Sequence, residues 1–144
     1  MKVAVGSDHA GFEYKAHVLE KLKSWGVSFE NFGTDSPDSV DYPDFAHPVS
    51  EAVAKKRSIE FGILICGSAN GVAMTANKHP KVRAAICWNK DIALLARQHN
   101  NANIICIPAR FVTKRTVTIM LKAFLNTAFE GGRHQRRVGK IACQ

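Results

Sequence analysis

The sequence predicts an α/β fold with one parallel, doubly wound sheet, and two observations lead to this class. Short runs rich in Val, Ile, Leu and Ala alternate along the chain with longer amphipathic stretches. A strand followed by a single helix, repeated along the chain, forms right-handed βαβ units whose strands are parallel. The chain has 144 residues without an internal repeat or linker, which predicts a single domain over 1–144.

The first half of the chain supplies three predicted strands. They are the apolar runs 2–8, 27–33 and 60–66. The amphipathic stretch 10–26 predicts a helix that ends at Gly26, because glycine is a common stop signal. Between the second and third strands, the turn-rich loop 34–44 leads to a helix over 45–57, and Pro43 favours the start of that helix.

The second half repeats the pattern and ends in a basic tail. Two more strands are predicted over 82–88 and 103–108, with helices over 90–100 and 113–128 and another directly after loop 67–71. The tail from Gly131 is rich in arginine and is predicted to be helical beyond its paired glycines. Together these elements make a Rossmann-like, five-stranded α/β/α sandwich.

The composition limits the setting in which the protein acts. No apolar run approaches the roughly 18 residues that a membrane span needs, and the first residues lack the pattern of a signal peptide. The four cysteines, at positions 66, 87, 106 and 143, show no zinc-like spacing. We therefore expect a cytoplasmic protein without a membrane contact, a disulfide framework or a bound metal.

The charge is distributed unevenly. Residues 1–60 carry 7 Lys or Arg and 10 Asp or Glu, whereas residues 61–144 carry 13 and 2. A basic half is typical of nucleic-acid binders, but also of proteins that bind a phosphorylated small molecule. A solvated basic surface is a third interpretation. Because interleaved aromatic residues and a recognised nucleic-acid module are absent, no nucleic-acid partner is expected.

The rim of the sheet is where a ligand is expected, since open parallel sheets bind ligands outside the carboxyl ends of their strands. The residues that follow the predicted strands are Ser7 to His9, Gly33 and Thr34, Cys66 to Gly71, Trp88 and Asn89, and Ala109 and Arg110.

The most informative rim segment is Cys66 with the glycine-bounded turn 67–71. A turn between a strand and a helix aims several backbone N–H groups at one point, which suits a phosphate or an oxyanion. The run matches neither a P-loop nor a dinucleotide fingerprint. A buried cysteine is usually a small hydrophobe. A helix N-terminus beside it lowers the thiol pKa, however, which favours a reactive thiolate here.

Other candidates have an ordinary structural alternative. Asp8 and His9 pair a carboxylate with a group that titrates near neutral pH, or they are a helix cap and a solvent-facing imidazole. His99 ends a helix, where a histidine is more often a favourable charge than a catalyst. Arg133 and Arg137 are four residues apart, so on a helix they share a face and can bind one phosphate. The alternative is a solvated basic tail.

Seven segments, taken together and in order, carry a family resemblance. They are "GSDHAGF" (6–12), "DYPDFA" (41–46), "GILICGS" (62–68), "ANK" (76–78), "RAAIC" (83–87), "RQHNNAN" (97–103) and "GGRHQRRV" (131–138). They resemble the ribose-5-phosphate isomerase B family, which includes subunits of galactose-6-phosphate isomerase. The resemblance implies interconversion of an aldose phosphate and a ketose phosphate through an enediolate, without cofactor or metal.

The resemblance also implies roles for individual residues. Cys66 would be the base, and the amides of 67–71 would hold the oxyanion. Ser68 would move a proton between the sugar oxygens, and His99 would assist ring opening with Asp8 nearby. The implied substrate-binding residues are Asp8, His9, Tyr42, Gly67, Ser68, Ala69, Asn70, Gly71, Asn100, Arg110, Arg133, His134 and Arg137.

Assembly and substrate follow from the resemblance too. Family members are dimers or pairs of dimers with shared sites, so the segment 130–144 is expected to pack on a partner subunit. Ala69 stands where the family usually has Gly, which costs about 1 kcal/mol if the position needs a positive φ. Val72 stands where some members have a glutamate that acts as the catalytic base. Because valine cannot accept a proton, Cys66 is the candidate base here. An isomerase of galactose 6-phosphate, allose 6-phosphate or a tetrose phosphate is an alternative, as is a non-catalytic sugar-phosphate-binding protein.

Overall fold

A computed structural model describes residues 1–143 and contains one sheet of five parallel strands in the order β2-β1-β3-β5-β4. The strands are β1 (Lys2–Ser7), β2 (Ser28–Asn31), β3 (Phe61–Cys66), β4 (Ala84–Ile86) and β5 (Ile104–Pro108). The helices are α1 (Phe12–Ser24), α2 (Pro43–Lys55), α3 (Asn70–Ala76), α4 (Lys90–Gln98), α5 (Lys114–Leu125) and α6 (Arg133–Val138). The predicted fold class is confirmed. None of these helices is long and apolar enough to cross a bilayer.

The element boundaries differ from the sequence predictions by a few residues. The largest shortening among the strands is at β4, predicted over 82–88 and observed as Ala84–Ile86. This strand lies at the edge of the sheet and pairs with β5 alone, so fewer of its residues are held in a ladder. Residues 9–11 form a short 3₁₀ turn before α1 rather than its first turn.

The core consists of two apolar layers, one on each face of the sheet. Ile63 and Ile65 of β3 pack in the layer formed with α1, α4 and α5. Leu64 and Cys66 point to the opposite layer, which α2 and α3 complete. Since side chains alternate along a strand, the register of β3 alone decides that the Cys66 thiol faces α2 and α3.

Because all strands run in the same direction, the sheet has two distinct edges. Every strand ends at one edge of the sheet, which we call the carboxyl edge, and the following helix runs back across the sheet and ends near the opposite, amino edge. α4 has 9 residues and is therefore about 14 Å long. The backbone N–H of Glu130 donates to the carbonyl of Gln98 at 3.1 Å. This bond holds the segment between α5 and α6 beside the end of α4, at the amino edge.

Candidate active site

The turn after Cys66 is held by the neighbouring strand. The N–H of Ala109 donates to the Cys66 carbonyl at 2.9 Å, and the N–H of Arg110 donates to the Gly67 carbonyl at 3.1 Å. The Arg110 side chain lies against Gly67, where an added Cβ would come 3.3 Å from its Cδ, Nε and Cζ atoms. A cation therefore lies directly beside the predicted anion-binding turn.

Ala69 has the left-handed backbone conformation that a glycine normally supplies, with φ 65° and ψ −2°. The residue is fully buried, and its N–H donates to Cys66 Sγ at 3.2 Å. An L-residue in this conformation costs about 1–2 kcal/mol. Ala69 thus turns the chain into α3 at an energetic cost and aims an N–H group at the sulfur.

Cys66 is only 5% exposed, and the surroundings of its thiol raise the thiol pKa above the ordinary value. Burial is the largest cause, since it disfavours the thiolate. The backbone N–H of Val72 opposes it, the carboxylate of Asp8 adds to it, and the N–H groups of Ala69 and Ser68 oppose it. The expectation that the start of α3 lowers the pKa is therefore wrong in net direction. The amides act as predicted, but burial outweighs them.

Asp8 and His9 follow β1, and Asp8 lies close enough to the same turn to raise the pKa of Cys66. Asp8 Oδ1 accepts a hydrogen bond from the N–H of Gly11 at 3.0 Å, so the carboxylate caps the 3₁₀ turn. His9 Nδ1 accepts from the N–H of Val40 at 3.2 Å. The imidazole of His9 therefore faces the 34–42 loop rather than open solvent. Asp8 both caps the 3₁₀ turn and raises the pKa of the Cys66 thiol.

Tyr42 lies over the end of the turn 67–71, against Gly71. A Cβ added at Gly71 would come 2.5 Å from Tyr42 Cζ, so glycine allows the ring to lie this close to the backbone. Ser68 and Asn70, between the two glycines, are exposed. Ser68 Oγ accepts from the N–H of Asn70 at 3.3 Å, which leaves the hydroxyl hydrogen free to donate to a ligand.

A second group of predicted site residues lies at the amino edge. It comprises His99, Asn100, Arg133, His134 and Arg137. His99 follows the last residue of α4, and its ring stacks on that of His134 with centroids 4.1 Å apart. The pKa of His134 lies below its ordinary value, because the ring is withdrawn from solvent and because His99 and Arg133 add positive charge nearby. Arg133 and Arg137, four residues apart on α6, are both exposed.

The single chain does not bring the two groups together. Cys66 and Asp8 lie at the carboxyl edge, whereas His99 lies at the far end of a helix about 14 Å long. The expectation that Asp8 lies near His99 is therefore not met within one chain. The reason is the direction of the strands and helices, which places strand ends and helix ends at opposite edges.

Two buried cations support the site and were missed by sequence reasoning. Arg97 donates to the carbonyls of Thr127 and Ala102 at 3.0 and 2.6 Å, which fixes the loop after α4 that carries His99. Lys15, 3% exposed, donates to Asn31 Oδ1 at 2.8 Å. That same oxygen accepts from the N–H of Gly33. The signal in the sequence was a charged residue at a position of the helix that should be apolar.

The fold and site define a class, a doubly wound α/β protein with a cysteine at the carboxyl edge, at the start of a turn whose backbone N–H groups face its sulfur. The profile of the family described as Ribose/Galactose Isomerase matches residues 3–141, and the chain belongs to this family. A probable ribose-5-phosphate isomerase B of Mycoplasma genitalium is 44% identical over 140 residues, which cover 96% of this chain and 92% of that protein. Ribose-5-phosphate isomerase B of Escherichia coli is 39% identical, with 97% and 93% covered.

Solved structures agree with this assignment. A ribose 5-phosphate isomerase of Thermotoga maritima superposes with a TM-score of 0.95 at 44% identity, covering 97% of this chain and 96% of that one. Ribose-5-phosphate isomerase B of Mycoplasma genitalium, crystallised with bound ribulose-5-phosphate, gives a TM-score of 0.93 at 43% identity, covering 97% and 93%.

Replacing Ala69 by glycine should stabilise the protein. We expect Ala69→Gly to raise the free energy of unfolding by about 0.5–1 kcal/mol, because the relief of left-handed strain exceeds the extra chain entropy of glycine. Ala73→Gly, in the regular interior of α3, is the matched control and should lower it by about 1 kcal/mol. Urea unfolding at fixed protein concentration measures both. A loss of stability in Ala69→Gly as large as that of the control would contradict this reading of the turn.

Neutralising Asp8 should make the Cys66 thiol more acidic. Asp8→Asn removes a negative charge that raises the pKa, while the amide oxygen can still cap the Gly11 N–H. The rate of alkylation by iodoacetamide against pH, without sugar, should therefore inflect at a lower pH than in the parent. All proteins carry Cys143→Ser, because Cys143 is exposed, and Glu20→Gln on the outer side of α1 is the charge control. An inflection that stays in place or moves upward would refute the role of the Asp8 charge.

Proposed function

We propose that the protein is an isomerase that interconverts D-ribose 5-phosphate and D-ribulose 5-phosphate. The observation that carries the proposal is the placement of the Cys66 sulfur at the start of a turn whose N–H groups face it. Family membership and the relatives named as ribose-5-phosphate isomerases support this substrate. A cytoplasmic location, as the sequence predicts, belongs to the same proposal.

The proposed reaction needs one base and one anion trap. Cys66, as the thiolate, removes the proton from C2 of the open-chain aldose, and the electron pair moves to form the enediolate. The N–H groups of 67–71 stabilise the negative charge on O1. The Ser68 hydroxyl carries a proton from O2 to O1, and the proton on the sulfur returns to C1 to give the ketose. No atom is gained or lost.

The raised pKa of the thiol fits a base for a carbon acid. A base with a higher pKa removes a weakly acidic proton more effectively once it is ionised, although a smaller fraction is ionised at neutral pH. The N–H groups of Val72, Ala69 and Ser68 compensate in part, since hydrogen bonding to a thiolate favours its formation. Burial therefore strengthens the base at the cost of its ionised fraction.

The site that we propose is completed by a second copy of the chain. His99, Asn100, Arg133, His134 and Arg137 would enter from the partner's amino edge, with the arginines on the phosphate. An open groove of about 570 Å³ lies between α3 and the outer strand β4, beside the anion-binding turn. It is lined in part by Ala73, Ile86 and Met74, and the last of these is 69% exposed. A partly apolar surface with an exposed methionine, beside the proposed half-site, suits a two-fold contact between copies, in a dimer or a pair of dimers.

The Cys66→Ser variant tests the proposed base. We expect kcat for ribose 5-phosphate to fall by about 10²–10⁴-fold, the usual contribution of a general base, with loss of solvent deuterium exchange into the sugar. Binding of ribulose 5-phosphate, measured by calorimetry, should persist because the backbone N–H groups and arginines are unchanged. Cys143→Ser is the matched control and should be as active as the parent.

Two results would contradict the proposal. Near-parental turnover of Cys66→Ser would remove Cys66 as the base. A parent protein that binds sugar phosphates but exchanges no proton with any of ribose 5-phosphate, allose 6-phosphate and erythrose 4-phosphate would be a binding protein rather than an isomerase.

A further inference from the structure

Three side chains at the amino edge form a cluster with the donor atoms of a metal site. They are His99, Glu130 and His134, whose candidate ligand atoms all lie within 4.8 Å of one another. Among residues 1–143 this is the one group of three such side chains that lies so close. His134 Nε2 lies 3.6 Å from Glu130 Oε2. Two imidazoles and a carboxylate are a donor set that Zn²⁺ accepts, with a fourth position left open.

The backbone preorganises this cluster. The N–H of Glu130 donates to the Gln98 carbonyl at 3.1 Å, which fixes Glu130 beside the end of α4. The N–H of His134 donates to the Gly131 carbonyl at 3.1 Å, and Glu130 and His134 are four residues apart. The two segments that carry the three side chains, the end of α4 and residues 130–134, are therefore held in place before any ion arrives, and only side-chain torsions have to change.

The side-chain adjustment needed is modest. The rings of His99 and His134 are stacked, with an angle of 12° between their planes, so their lone pairs lie in two nearly parallel planes and cannot both point at one ion. Ligand atoms around a tetrahedral Zn²⁺ lie roughly 3.3 Å apart, given bonds of about 2.0–2.1 Å. One ring must rotate and the donors must draw together. His99 is half-buried and Glu130 is exposed, so both have room to move.

We propose that His99, Glu130 and His134 bind Zn²⁺ and that the bound ion inhibits the enzyme by withdrawing His99 from the sugar. The inhibitory part rests on the proposed function, in which His99 assists ring opening in a shared site. The binding part rests only on the cluster. The open coordination position would be taken by water or by the partner's side of the site. Arg133 and Arg137 flank the cluster, and their positive charges lower its affinity for Zn²⁺. We therefore expect Zn²⁺ to bind reversibly as an inhibitor rather than to occupy the site permanently.

Calorimetric titration of the full-length protein with ZnCl₂ at pH 7.5 tests the binding, and the isomerase assay in the same buffer tests the inhibition. All proteins carry His79→Asn, because His47 Nδ1 lies 2.7 Å from His79 Nε2 and this pair could bind zinc as well. Glu130→Gln should weaken zinc binding and raise the half-inhibitory zinc concentration by about tenfold or more, since loss of even an indirect partner costs that much. Its activity without zinc should match that of the Glu20→Gln control.

Each outcome decides one part of the proposal. Equal zinc binding by Glu130→Gln and Glu20→Gln overturns the metal site and leaves the proposed isomerase untouched. Binding that depends on Glu130 without inhibition keeps the metal site but overturns the role of His99 in catalysis. Inhibition that EDTA reverses, and that Glu130→Gln relieves in step with binding, supports both parts.

Discussion

The parallel direction of all five strands is the constraint on which this molecule depends. A parallel sheet sends every strand end to one edge, and each helix must return to the other edge before the next strand can begin. Cys66, the turn 67–71 and Asp8 stand at or after strand ends, so they share the carboxyl edge. His99 and the arginines of α6 follow helices, so they lie at the amino edge. A single copy of the chain cannot contain a complete site built from both.

The turn that holds the thiol contains several features that lower stability or oppose ionisation, and each of them also helps to shape the site. Ala69 adopts a left-handed conformation that disfavours an alanine, and in doing so it aims its N–H at the sulfur. Gly71 allows Tyr42 to lie against the backbone. Burial raises the pKa of Cys66 and so opposes ionisation, but it also keeps water from the sulfur. Natural sequences tend to break local rules where a site requires it.

Much of this arrangement could be predicted from the sequence. The alternation of apolar runs and amphipathic stretches predicts the sheet, and the strand-end rule then selects Asp8, the Cys66 turn and Arg110 as neighbours. The positive φ at position 69 was foreseeable from the glycine expected there. The predictions of the sheet and of the neighbours at its rim succeed because they depend on local pattern and strand direction, whereas the conformation at position 69 was expected from the family resemblance.

Other features depend on packing that no local pattern reveals. The net direction of the Cys66 pKa shift is set by burial beneath elements from separate parts of the chain, and the burial outweighs the predicted effect of the amides. Arg97 and Lys15 lie on helices at positions where a periodic pattern expects apolar residues. Their carbonyl and amide partners are up to 30 residues away in sequence. Where the amino-edge residues act could not be deduced from one chain, because in the proposed site they belong to a second copy.

Subunit complementation tests most directly whether the site is shared. Cys66→Ser and His99→Asn chains, each expected to be inactive alone, are mixed, unfolded together and refolded. If each site takes its carboxyl-edge half from one copy and its amino-edge half from the other, random pairing leaves about a quarter of all sites intact. The mixture should then recover that fraction of parental activity, whereas a mixture of Cys66→Ser and Asp8→Ala chains should recover none. No recovery from the first mixture, despite mixed dimers demonstrated by mass spectrometry, would contradict a shared site.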